Sequence, residues 1–218
     1  AFCAIPLIRG SFRSRPMEDI VAEGRELAAA GVRELVLIAQ DSANYGLDCY
    51  QKPMLPTLLR ELAKIDGIAW IRVLYSYPKY FTDERIEVFA TEPKVVKYVD
   101  LPLQHAHDAV LRSMNRPDTR AGMEELIAKL RARIPGVAIR STFIVGFPGE
   151  TDAQYQTLRR FVEKQRFDKV GIFTYSEEED TAAAAMGKKV SEEVMQERYH
   201  DLMSLQSKIS EEINIGLE

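Results

Sequence analysis

The run Val137-Ala138-Ile139-Arg140-Ser141-Thr142-Phe143-Ile144-Val145 leads directly into Gly146-Phe147-Pro148-Gly149-Glu150-Thr151, and this junction decides the fold. Its Phe143-Ile144-Val145 segment is apolar without a break, as in a parallel strand covered on both faces. The glycine and proline residues that follow punctuate the chain and stop the strand. Thr151 with Gln154 then has the form of a capping box, in which the two side chains satisfy backbone N–H groups at a helix start. Tyr155, Leu158, Phe161 and Val162 repeat behind it at helical spacing. The stretch therefore reads as strand, glycine-rich turn and capped helix, which is one βα unit.

The same unit recurs outward in both directions. Apolar runs lie at Val32–Ala39, Ile68–Tyr75, Val96–Leu103 and Val170–Tyr175, with strand starts about every 30 to 40 residues. Between them, Ile20, Gly24, Leu27 and Ala28 share a helical face, opened by Pro16 and stopped by Gly31. Leu55, Leu58, Leu59 and Leu62 repeat that pattern, as do Leu126, Ile127, Leu130 and Ile134. Such alternation predicts an α/β fold with a parallel sheet, doubly wound or barrel-like. From Ser191 to Ile215, Met195, Tyr199, Leu202, Leu205, Ile209 and Ile213 mark an amphipathic helix. It is expected to pack on the domain body, with a docking surface as the alternative.

The chain has 218 residues, 46% of them hydrophobic and 28% charged, enough for one globular domain or a domain plus an appendage. No apolar run approaches the roughly 20 residues that span a bilayer. A formal charge of −4 argues against a general polyanion binder, because that affinity rests on Lys and Arg neutralising phosphates. Two cysteines, Cys3 and Cys49, make no disulfide framework and point to a reducing cytoplasm. The chain opens on Ala1-Phe2-Cys3 without an initiator Met and reads as a piece of a longer polypeptide.

In α/β proteins functional groups gather beyond the carboxyl ends of the strands. Those segments are polar here: Gln40-Asp41-Ser42-Ala43-Asn44-Tyr45-Gly46, Ser76-Tyr77-Pro78, Gln104-His105-Ala106-His107-Asp108, Gly146 to Thr151, and Ser176-Glu177-Glu178-Glu179-Asp180. They describe a polar pocket at one end of a barrel, or simply the residues that strand-to-helix turns collect. His105 and His107, near Asp41 or Asp108, are candidates for a metal pair or a general base, against a structural hydrogen-bonding role. Arg140, inside a strand, needs a partner such as a bound carboxylate, or else faces outward between helices. Arg9, Arg13 and Arg15 form a short basic run that solvent alone could account for. Gly146 and Gly149 permit close backbone approach to a ligand, and Glu150 is placed to complement a helix dipole. Cys3, in a loop ahead of the first helix, is poorly placed for a core thiol.

Taken together these residues resemble the radical S-adenosylmethionine (SAM) enzymes, in their methylthiotransferase branch. That family carries Cys-x3-Cys-x-aromatic-Cys, three thiolates holding a 4Fe–4S cluster whose fourth iron chelates SAM. Ala1-Phe2-Cys3 looks like the tail of that motif, with Cys3 as the third ligand. The stretch from Ala4-Ile5-Pro6 to Arg9-Gly10-Ser11-Phe12-Arg13-Ser14-Arg15-Pro16 matches as well. So do Ile144-Val145-Gly146-Phe147-Pro148-Gly149-Glu150-Thr151 and Phe173-Thr174-Tyr175-Ser176. Gln40-Asp41 and Leu101-Pro102-Leu103-Gln104-His105-Ala106 resemble members that thiomethylate an aspartate of small-subunit ribosomal protein twelve, where transfer-RNA relatives typically read Gln-Asn and Gln-Ser.

The resemblance implies a partial, open (β/α) barrel over residues 1–190, with residues 191–218 as a helix leading to a further module. It implies a 5′-deoxyadenosyl radical that takes hydrogen from the aspartate β-carbon before sulfur insertion, chemistry the cofactor supplies. Gln104, Arg140 and Thr142 are expected at the ribose and methionine end of SAM, with the backbone near Phe2 and Phe173 at its adenine. Gln40, Asp41, His105 and Gly146 complete the expected cofactor set, and no catalytic residue is assigned. Thr142 stands where the family commonly has glycine. The first two cluster cysteines, the first strand, an N-terminal domain with a second 4Fe–4S cluster and a C-terminal RNA-binding-type module are expected outside this stretch. One thiolate cannot replace three, so the stretch by itself is expected to be inactive. A ribosomal-protein substrate, an electron-donor protein and a cytoplasmic location follow, without membrane or nucleic-acid binding. The alternatives are a transfer-RNA methylthiotransferase and a non-catalytic barrel that binds a partner protein.

Overall fold

A computed structural model describes residues 2–217; Ala1, where the resemblance begins, and Glu218 lie outside the described residues. The chain forms two compact units. One comprises Phe12–Leu101 with Ala128–Ala138, the other Ala1–Ser11, Pro102–Ile127 and Ile139–Glu218. Among the described residues no helix is long and apolar enough to cross a membrane.

In the unit built on Phe12–Leu101, helix α2 (Met17–Ala29; α1 is the short Ile5–Arg9) precedes strand β1 (Glu34–Leu37). Helix α3 (Leu55–Ala63), strand β2 (Trp70–Val73) and helix α4 (Asp83–Thr91) follow. β1 and β2 pair in parallel, from Glu34 opposite Trp70 to Leu37 opposite Val73. Leu55, Leu58, Leu59 and Leu62 form the buried stripe predicted for α3, with Ile71, Ile86 and Phe89 also fully buried. Gly24 is buried in α2 because a Cβ there would stand 2.9 Å from Ile65 Cδ1. The other face of the β1–β2 pair is open, leaving Val36, Ile38 and Trp70 exposed.

The runs assigned to β1 and β2 are longer in sequence than the strands they form. Beyond Val73 the backbone leaves the ladder: Tyr75 has a φ of 57° and donates its N–H to the Asp100 carboxylate at 2.9 Å. Arg85, 1% exposed in α4, donates from Nη2 to the Ala43 carbonyl at 2.9 Å and lies over the Phe81 ring. Burial lowers its pKa to about 10, and the charge of Asp41 opposes that shift.

The second unit carries most of a three-stranded sheet in the order β3 (Tyr98–Gln104), β4 (Ala138–Val145), β5 (Lys169–Thr174). β4 and β5 are parallel and in register from Arg140 opposite Lys169 to Val145 opposite Thr174. Helices α5 (Asp108–Ser113), α6 (Arg120–Arg133), α7 (Asp152–Gln165) and α8 (Glu192–Ile215) complete the elements. The capping box is present as predicted: Thr151 Oγ1 accepts from Gln154 N and Gln154 Oε1 from Thr151 N.

β4 differs from the doubly covered strand its apolar run suggests. Burial alternates along it, with Ile139, Ser141, Phe143 and Val145 buried and Arg140, Thr142 and Ile144 only partly so. The covered face is a three-ring cluster in which Phe143, Phe161 and Phe167 meet at centroid distances of 5.8 to 6.2 Å. α8 packs against α7 and β5, and its buried face is Arg198, Leu202, Gln206 and Ile209. Sequence spacing picked only the apolar half of that face. Gln206 is buried because its Nε2 donates to the Phe167 carbonyl at 2.9 Å, and Ser210 Oγ does the same for Asp168 at 3.0 Å.

Phe143→Ala removes one ring of the cluster and leaves a cavity against Phe161 of α7 and Phe167. It is expected to cost about 3–5 kcal/mol, read as a lowered urea midpoint with an unchanged denaturant slope.

Candidate functional site

The second unit gathers most of the residues singled out from sequence, in three neighbouring sets. The first is the open face of β4 and β5. Register places Thr142 opposite Gly171 and Ile144 opposite Phe173. Gly171 is the floor of this face: a Cβ there would lie 3.6 Å from the Phe173 ring, 3.7 Å from Thr142 Oγ1 and 3.9 Å from Arg140 Nη2. A guanidinium, a hydroxyl and an aromatic ring thus surround one bare Cα. Phe173 is 57% exposed although it belongs to a strand. An exposed ring beside a cation and a hydroxyl is a surface suited to a ligand with a flat heterocycle and an acid group.

The second set holds the N-terminal segment. Phe2 packs on a buried cluster of Val110, Met114, Phe147 and Ala183. Its ring meets Phe147 edge-on at 6.4 Å, and Phe147 meets Tyr175 edge-on at 5.4 Å. Phe2 thereby anchors the backbone next to Cys3, a partly buried thiol in no disulfide. Among the described residues the buried Tyr175 hydroxyl has no hydrogen-bond partner, and burial raises its pKa. Beside it lies a cleft of about 230 Å³ lined by Gly146, Pro148, Tyr175, Glu177, Lys189, Val190 and Met195.

The third set is a buried polar network. β3 ends in a γ-turn, with His105 N–H donating to the Leu103 carbonyl at 2.9 Å and Gln104 at a φ of 71°. For a side chain larger than glycine this backbone is strained. His105 is fully buried: its Nδ1 accepts the His107 N–H at 2.9 Å, and its Nε2 lies 2.9 Å from Glu150 Oε1. Accepting at Nδ1 places the ring proton on Nε2, so a neutral imidazole donates to the carboxylate. Glu150 Oε2 also accepts the Gly146 N–H at 2.6 Å and Arg198 Nη1 at 2.7 Å. Gly146, with a φ of 77°, lies under Met195, whose Cγ would stand 2.2 Å from a Cβ there.

Several expectations about individual side chains change. Glu150 precedes the N-cap Thr151, and its carboxylate is turned inward to bind three donors rather than facing the helix dipole. The carboxylate at His105 is Glu150; Asp108 instead accepts the Arg120 N–H at 2.8 Å. His107 is the N-cap of α5 and accepts from Ala109 N, with its pKa lowered by burial and by His105. Glu150, Arg198 and Gly171 carry the geometry of the site and were not picked out as binding positions. Arg198 shares a helix face with Met195, the one sequence signal that could have drawn attention to it.

The remaining candidates belong to the other unit. Gln40 is exposed. Asp41 caps a short helical turn: its carboxylate accepts Ala43 N at 2.9 Å, Asn44 Nδ2 at 2.7 Å and Tyr77 N at 3.2 Å. Arg15 pairs with Glu23 at 2.6 Å on the surface, and Arg13 is exposed. Among the described residues no three His, Cys, Asp or Glu side chains gather as a metal site, and His105 and His107 each accept a backbone N–H at Nδ1.

Comparison with known proteins gives this geometry a family. The profile of the radical SAM superfamily matches residues 1–162. A ribosomal protein uS12 methylthiotransferase, RimO, from Caldanaerobacter subterraneus is 50% identical over 216 residues, 99% of this chain and 49% of that protein. Its counterpart from Geobacter sulfurreducens is 53% identical over 210 residues, 96% of this chain and 47% of its own length. The one from Symbiobacterium thermophilum is 55% identical over 214 residues, 98% of this chain and 44% of that protein. The chain therefore spans about half the length of the curated relatives it matches. Among solved structures, coproporphyrinogen III oxidase (HemN) from Escherichia coli superposes with a TM-score of 0.66 at 15% identity, over 91% of this chain and 48% of that one. Methylornithine synthase (PylB) does so with a TM-score of 0.59 at 16% identity, over 94% and 58% respectively. These likenesses support the expected fold class, a partial open (β/α) barrel built on parallel strands. With its profile matched over most of the length, this chain belongs to the radical SAM superfamily.

Proposed function

We propose that this chain is the barrel core of a radical SAM methylthiotransferase that modifies an aspartate of ribosomal protein uS12. The observation that carries the reading is 50–55% identity to uS12 methylthiotransferases across nearly the whole chain. In this reading residues 1–190 are the partial barrel and residues 191–218 its closing helix. A location in the cytoplasm, an electron-donor protein and a second 4Fe–4S cluster elsewhere in the full protein belong to the same proposal.

The residues present suit SAM. Arg140 offers a guanidinium to the methionine carboxylate, Thr142 a hydroxyl, and Phe173 an exposed ring to the adenine, around a glycine that leaves them room. Charge-assisted hydrogen bonds of this kind are roughly twice as strong as neutral ones, which suits Arg140 to the carboxylate end. The Gln104 γ-turn redirects the chain at the end of β3 toward the same role. The described residues do not by themselves suit a cluster held by three thiolates, since Cys3 supplies one. The task of this chain's own residues is to hold SAM with its reactive end fixed, in line with the protein's usual share in cofactor chemistry.

Two measurements test the reading. Mass spectrometry of uS12 from a strain lacking the gene is expected to show loss of the methylthio group from the aspartate. Persistence of that group together with loss of a methylthio group from transfer RNA would move the assignment to the transfer-RNA branch. In the full-length enzyme, Arg140→Met is expected to weaken SAM binding about tenfold or more, and Thr142→Val by a smaller factor. The basis is the roughly 1.5–3 kcal/mol of a hydrogen bond to a charged group against about 1 kcal/mol for a neutral one.

A further inference from the structure

The buried carboxylate of Glu150 joins pieces of chain that the sequence keeps far apart. It receives the Gly146 N–H at 2.6 Å from the turn after β4 and lies 2.9 Å from His105 Nε2 in the loop after β3. Arg198 Nη1 reaches it at 2.7 Å from α8. His105 in turn holds the His107 N–H on its second nitrogen. Two of the strand-end loops that carry expected cofactor contacts are therefore tied to one side chain. A carboxylate with 0% side-chain exposure needs a compensating charge, and the cation that reaches it is Arg198, itself 8% exposed. α8 touches the same turn a second time through Met195, which covers the Cα of Gly146.

We propose that Arg198, with Met195 one turn earlier, is a positioning residue: through Glu150, α8 sets the conformation of the His105 loop and the Gly146 turn against which SAM is held. The proposal rests on the reading of these loops as the SAM site. Arg198 acts through Glu150, and Met195 acts by packing on Gly146. Without Arg198 the carboxylate is left buried without its cation, and the network must rearrange or admit water to it. That change loosens its hold on Gly146 N–H and on His105. α8 lies beyond the residues matched by the superfamily profile, which end at 162. It is thus an element outside the matched stretch that shapes a site inside it.

The test uses the full-length protein with its cluster intact, handled anaerobically, as wild type, Arg198→Met and Arg198→Lys. Amide hydrogen exchange without SAM is read at Gly146 and His107, the two N–H groups the network holds, with Phe143 in β4 as the internal reference. Arg198→Met is expected to speed exchange at Gly146 and His107 at least tenfold while Phe143 is unchanged, and to weaken SAM binding about tenfold. Arg198→Lys keeps the charge and is expected to recover most of both. Should Arg198→Met fail to fold, Met195→Ala reads the same Gly146 amide, with faster exchange expected there. Unchanged exchange at Gly146 and His107 in a folded variant, with only a lowered Tm, would overturn the proposal. Because the exchange arm contains no SAM, it stands apart from the functional reading. A wild-type enzyme that binds no SAM would remove that reading instead.

Discussion

A carboxylate withdrawn from water is the constraint on which the second unit depends. Glu150 has 0% side-chain exposure, and an ionised group in such a place is tolerated only when its lone pairs and its charge are answered. Three donors answer them: a backbone N–H, an imidazole N–H and a guanidinium. Each donor comes from a different part of the chain, so satisfying the carboxylate fixes the turn after β4, the loop after β3 and α8 together. The neutral tautomer of His105 follows from the same arrangement. Its Nδ1 is committed to the His107 N–H, which leaves Nε2 to donate. A histidine engaged on both sides has no lone pair left for a metal, and its place in the site is that of a strut.

The sheet divides its labour between faces. The residues of β4 that point one way form the phenylalanine cluster, where large rings meet at distances favoured by aromatic pairs. The residues that point the other way, Arg140 and Thr142, remain partly open beside Gly171 and Phe173. One strand thus supplies both the rigidity and the ligand surface, which keeps the polar groups on an element that cannot drift. Sites on strands are held more sharply than sites on loops, and this sheet adds one strained turn position, Gln104, where β3 leaves the ladder.

The elements were legible in the sequence because period and punctuation act locally. The leucine stripe of α3, the capping box of α7 and the strand of Lys169–Thr174 all follow from neighbours in sequence. β4 was legible as a strand, but not in having one open face, because Ile144 is apolar on the open side and Ser141 polar on the buried side. Expected contacts at Arg140, Thr142 and Phe173 converge on one glycine, which register alone determines. The Glu150 network was not legible: the separation is 45 residues to His105 and 48 to Arg198, and neither periodicity nor a motif links such positions. Buried polar residues on α8 escaped for the same reason, since Gln206 answers a carbonyl that only the folded chain brings near.

The division into units also sets an order of events during synthesis. The unit of Phe12–Leu101 is closed by Ala128–Ala138, so its parts are all available once that segment has left the ribosome. The other unit combines the first residues of the chain with a segment reaching its end, and its contacts are correspondingly distant in sequence. Distant contacts form slowly, because the entropy of closing long loops comes before the reward of contact. His105 and Glu150 emerge well before Arg198 does, and until α8 arrives the carboxylate has no guanidinium to meet. Of the three donors to Glu150, Arg198 is the latest to leave the ribosome, so the carboxylate's burial is complete only after α8 has been made.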